Sequence, residues 1–101
     1  MTAQYFVDTN VLVYFRDTSD SAKHVRAYEW LDELTRTANA TTSFQVLNEF
    51  YDVVTRRRRI GMTPEAARAD VRDYLAIWEP MPVTEQVIER AWATQDTFGF
   101  S

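Results

Sequence analysis

Short apolar runs alternate along this chain with longer stretches whose apolar residues recur every three or four positions, and few architectures accept that order. The first run, Ala3–Val7, breaks off at the polar Asp8-Thr9-Asn10, as a strand buried in a parallel sheet would. A short helix is expected over Val11–Phe15 and a polar loop over Asp17–Ser21. From Ala22 onward Val25, Tyr28, Leu31 and Leu34 mark the buried stripe of a longer helix. Ala38–Thr42 reads as a weak strand of small residues. Thr42 with Gln45 then fits a capping box opening another helix, with Leu47, Phe50, Tyr51 and Val54 turned inward. That helix runs into Arg56–Arg59 and stops at Gly61. Thr63-Pro64-Glu65 restarts the chain as cap, first-position proline and first-turn acid, with Ala67, Val71, Tyr74, Leu75 and Trp78 as the buried face. Pro80–Val83 fits a short strand at a sheet edge. Thr84 caps a last helix carrying Val87, Ile88, Ala91 and Trp92. Strands separated by helices predict one α/β domain over residues 1–101, a parallel sheet between helical layers. About three strands are few for that design, so the sheet is expected to be incomplete.

Composition removes several function classes. Two glycines exclude glycine-rich phosphate loops, and the absence of cysteine excludes disulfides and thiolate metal sites. With one histidine, His24, a metal site would need mostly oxygen ligands. No apolar run approaches a membrane span and no signal peptide is visible, so the expected location is cytoplasmic. The net charge of −4 argues against bulk binding to nucleic acid, but four of the 11 basic residues form one block, Arg56-Arg57-Arg58-Arg59. A polyanion would meet the chain there.

In an open parallel sheet, ligands gather at the carboxyl ends of the strands. Asp8 closes the first strand. Glu49 lies about two turns into the helix after the second, and helical side chains lean back toward the helix N-terminus. The two carboxylates therefore converge on one edge, where they suit a hard ion such as Mg²⁺ or Mn²⁺. Each residue also has a plain structural use. Asp8 serves as a helix N-cap, Glu49 as a solvated acid, and Thr9, Asn10 and Ser43 as turn or cap residues. The arginine block is either a solvated helix end or an RNA phosphate contact. Trp30, Trp78 and Trp92 belong to a core or an interface. Spacing alone leaves these alternatives open.

Two segments add a resemblance. Phe6-Val7-Asp8-Thr9-Asn10-Val11-Leu12-Val13-Tyr14 resembles the opening of a PIN domain, and Ser43-Phe44-Gln45-Val46-Leu47-Asn48-Glu49-Phe50-Tyr51 resembles its second acidic motif. The likeness covers essentially the whole chain and is similar to VapC-type toxins. It implies a three-layer α/β/α fold and a Mg²⁺- or Mn²⁺-dependent endoribonuclease with RNA as substrate. It also implies a cognate antitoxin and a homodimer or higher oligomer as partners, with no role at a membrane. Asp8 and Glu49 match the family's acidic metal ligands, and Asn10 and Ser43 match positions that support the site. The family pattern continues past Asp96-Thr97-Phe98-Gly99-Phe100-Ser101 with a third acidic ligand and further strands. The expectations that follow are a truncated domain with low or no activity and an exposed apolar edge at Tyr5-Phe6-Val7. A second reading is a non-catalytic remnant that acts by binding an antitoxin or its own copy. A third, a receiver-like domain with Asp8 as phosphoacceptor, would want a late lysine, and Lys23 is the only lysine present.

Overall fold

A computed structural model of the chain describes residues 5–37, 40–78, 80, 88–89 and 92–93. In chain order these form β1 (Tyr5–Phe6), α1 (Thr9–Arg16), α2 (Ser21–Thr37), β2 (Ala40–Thr41), α3 (Phe44–Arg56) and α4 (Pro64–Ile77). The two strands pair in parallel, Tyr5 opposite Ala40 and Phe6 opposite Thr41. The pairing continues past the strands. The Val7 amide donates to the Thr41 carbonyl at 2.8 Å, and the buried Thr42 hydroxyl donates to the Val7 carbonyl at 2.9 Å. The arrangement is α/β in the coarse sense and mostly helical. The strand expected at Pro80–Val83 falls outside the described residues except for Pro80, as do Val87 and Ala91 of the last expected helix.

The side chains expected at an exposed apolar edge are largely covered: Phe6 is 5% exposed and Val7 fully buried, with Tyr5 half-buried, and all three belong to or pack against the one core cluster. α1 packs against both α2 and α3, and α3 against α4.

The inward face of α2 differs from the expected stripe. Ala27, Trp30, Leu31 and Leu34 are buried, whereas Val25 and Tyr28 are 50% and 56% exposed. A strict three-residue repeat falls roughly 60° short of a full turn at each step, so it winds off the core within two steps. In α4, Ala67, Tyr74 and Trp78 are buried as expected, Val71 is half-buried, and Leu75 is exposed. Trp30 and Trp78 are core residues, but Ile88 and Trp92 of the last expected stripe are exposed. α3 is capped one residue later than expected. Ser43, not Thr42, accepts the Val46 amide at 3.1 Å, while Thr42 is drawn to the Val7 carbonyl. Thr63 caps α4, accepting from the Ala66 amide at 3.1 Å. Between α3 and α4 the chain turns at Gly61, whose φ of +61° suits a residue without Cβ.

Consecutive residues of opposite charge fasten the end of α1. Arg16 grips buried Asp70 of α4 with two hydrogen bonds of 2.6 Å. Asp17, itself buried, accepts from the Ser19 amide at 3.0 Å and from Arg59 at 3.1 Å. The hydrogen bonding from Ser19 is the larger cause and the Arg59 charge a smaller one of an Asp17 pKa held below the ordinary carboxylate range. A depressed folded-state pKa means that the unfolded chain binds the proton more readily. The stabilisation is therefore complete above about pH 4 and drains away as pH falls further. Asp17→Asn should accordingly flatten the acid limb of a plot of Tm against pH below about pH 4. An acid limb identical to that of the unmodified chain would contradict this role for Asp17.

Candidate active site

The end of β1 and α3 come together where Thr9, the first residue of α1, reaches Glu49. Asp8 is the N-cap of α1, with extended backbone (φ −86°, ψ 162°), and its Oδ1 accepts the Thr9 amide at 2.7 Å. Its carboxylate is otherwise exposed. Glu49 is exposed on α3, on the side turned away from buried Leu47 and Phe50. Thr9 joins them: its side chain, in a residue 9% exposed, donates to Glu49 Oε2 at 2.9 Å across 40 positions of sequence. The other Glu49 oxygen, Oε1, lies 3.4 Å from the Gln45 amide nitrogen, a long and weak contact.

Both carboxylates line one open cleft of about 610 Å³, with Thr9, Asn10, Asp52, Val53, Arg56 and Arg57 completing the wall. The sequence-predicted residues divide on this geometry. Asp8, Asn10, Glu49, Arg56 and Arg57 share the cleft. Ser43 is buried and absent from the described lining; its hydroxyl is spent on the α3 cap. The arginine block splits as well. Arg56 sits 3.8 Å from Asp52 and Arg57 ends α3, while Arg59 turns back to Asp17 at 3.1 Å. Arg59 thus fastens the turn. Neither it nor Arg58 belongs to the described cleft lining.

Sequence reasoning passed over two polar members of the cleft. Thr9 read as a turn residue, although its place beside Asp8 put it at the same strand end. Asp52 had a signal available, since Glu49, Asp52 and Arg56 recur at positions i, i+3 and i+7 and so share a helix face.

The donor set suits a hard divalent ion. It consists of carboxylate oxygens, with hydroxyl and amide groups behind them and no sulfur or imidazole. Among the described residues, no group of three His, Cys, Asp or Glu side chains is arranged to hold a metal. The fit is therefore that of two carboxylates, with the remaining positions left to water and phosphate, as Mg²⁺ commonly accepts. No helix among the described residues is long and apolar enough to cross a membrane.

A family model described as PIN domain matches residues 5–100. No curated protein and no solved structure matches the chain.

Proposed function

The chain belongs to the PIN domain family, whose members are typically metal-dependent nucleases, and on that premise we propose a Mg²⁺- or Mn²⁺-dependent endoribonuclease of the VapC toxin type. In this reading a single three-layer α/β/α domain over residues 1–101 works in the cytoplasm. Asp8 and Glu49 hold the ion, Asn10 supports them from the cleft wall, and Ser43 supports Glu49 from a distance by fixing the start of α3. Arg56 and Arg57 meet RNA phosphates. The observation that carries the reading is the meeting of Asp8 and Glu49 in one cleft through the two donors of Thr9.

A bound divalent ion would supply Lewis-acid activation of water and of the phosphodiester. The protein's own groups do the rest. The two carboxylates set where the ion and the phosphate sit. Arg57, which has no ion pair recorded among the described residues, offsets phosphate charge at the cleft wall. Asp52 tempers Arg56, so the cleft is not uniformly cationic.

The test is cleavage of single-stranded RNA by the purified chain in excess Mn²⁺. Slow cleavage is expected, because two carboxylates form a sparse ligand set, and EDTA should abolish it until Mn²⁺ is restored. Cleavage that persists in EDTA overturns the metal-dependent mechanism. A second reading, a non-catalytic PIN fold that binds a cognate antitoxin or forms a homodimer or higher oligomer, draws on another surface. Between α1, α2 and α4 lies a groove of about 290 Å³ in which apolar Phe15, Leu31 and Trp78 stand beside charged Arg16, Asp32 and Asp70. Tyr28 and Ile77, 56% and 44% exposed, stand at its rim. A chain that cleaves no RNA in Mn²⁺ yet binds a protein partner would favour this second reading.

A further inference from the structure

The geometry points to Thr9 as a positioning residue, one side chain and one amide that together hold both carboxylates of the cleft ready for a divalent ion. The inference rests on the reading of Asp8 and Glu49 as the ion's ligands and goes beyond it by assigning a neighbour that touches neither ion nor substrate.

Asp8 and Glu49 come from different elements and are both exposed, so each would otherwise sample several rotamers in water. Two loose carboxylates lose much of that freedom when they close on an ion, and affinity falls accordingly. Thr9 removes part of the freedom beforehand. Its N–H fixes Asp8 Oδ1 at 2.7 Å and its hydroxyl fixes Glu49 Oε2 at 2.9 Å. Each acid is thereby held by one oxygen, which leaves Asp8 Oδ2 and Glu49 Oε1 as the oxygens less engaged by the protein. Among the described residues the second of these meets only the long Gln45 contact of 3.4 Å.

Thr9 can serve as an anchor because it is itself fixed. It is the first residue of α1, only 9% exposed, followed by Val11 and Leu12 in the core. A group that orients a ligand in this way typically changes metal affinity by about 10–100-fold when removed. The competing account is packing alone: a small β-branched residue filling space at the start of α1.

Thr9→Val and Thr9→Ser separate the two accounts. Valine keeps the shape and loses the donor; serine keeps the donor and loses a methyl group. Mn²⁺ binding, read from the EPR signal of the free ion, should weaken about tenfold in Thr9→Val and stay within about twofold of the unmodified chain in Thr9→Ser. Glu49→Gln is measured beside them. If Glu49→Gln weakens Mn²⁺ binding and Thr9→Val does not, the positioning role is overturned while the ligand assignment stands. If Glu49→Gln leaves binding unchanged, the ligand assignment falls and the role of Thr9 with it. If Thr9→Ser loses as much affinity as Thr9→Val and both melt at lower temperature, Thr9 is a packing residue and the inference is wrong.

Discussion

Asp8→Asn and Glu49→Gln are each expected to lower Mn²⁺-dependent RNA cleavage by about a hundredfold or more, with thermal stability nearly unchanged. The floor follows from neighbours of a metal ligand, whose loss commonly costs about 10–100-fold; losing the ligand itself should cost at least the upper figure. A hundredfold loss corresponds to about 2.7 kcal/mol in the barrier. The substitutions are chosen for what they preserve. Asparagine caps a helix about as well as aspartate, so Asp8→Asn retains an acceptor for the Thr9 amide, now 2.7 Å away. If Asp8 were only the cap of α1, Asp8→Asn would be silent. Glutamine likewise offers the Thr9 hydroxyl a carbonyl oxygen in place of Glu49 Oε2. Both variants thus keep the hydrogen bonds and remove the charge. Wild-type cleavage rates in both, at matched Mn²⁺, would dismiss them as ligands.

Much of this arrangement was legible in the sequence where two independent signals agreed. β1 was read from its apolar run and its polar stop; α4 was read from Thr63-Pro64-Glu65 together with its inward face, and that cap is present. The convergence of Asp8 and Glu49 was legible because strand ends and helix starts share one edge in a parallel sheet. What could not be read depends on partners remote in sequence. Ser43 rather than Thr42 caps α3 because the Thr42 hydroxyl has a stronger use, the Val7 carbonyl, 35 positions away. Asp70 carries no local mark of its role, yet it is buried, and Arg16, 54 positions earlier, reaches it. Arg59 was indistinguishable from Arg56 by composition, yet one fastens a turn and the other lines the cleft. A charged residue's role is set by whichever opposite charge the fold delivers to it, and local periodicity carries no record of that delivery.

Phe50→Ala is expected to cost about 3–5 kcal/mol, the usual loss for emptying a fully buried aromatic site. Phe50 is 0% exposed and meets the ring of Tyr74 edge-on at 5.7 Å. Tyr74 in turn stacks on buried Trp78 at 5.3 Å, with the planes 3° from parallel. These three rings join α3 to α4 and its C-cap, and burial is what holds them together. It also raises the Tyr74 phenol pKa, and the Trp78 indole N–H has no hydrogen-bond partner among the described residues. For a domain near 100 residues each kcal/mol moves Tm by about 4–8 °C, so a drop of at least about 12 °C should appear in a melting curve. Phe50→Leu, which fills most of the space, should cost less than half as much. The consequence reaches the cleft, because the residue before Phe50 is Glu49. Loosening α3 frees Glu49 from Thr9, so Phe50→Ala should weaken Mn²⁺ binding even at temperatures where the chain remains folded, while Phe50→Leu should retain it. A Phe50→Ala variant that melts within about 3 °C of the unmodified chain would show that the aromatic stack does not anchor α3.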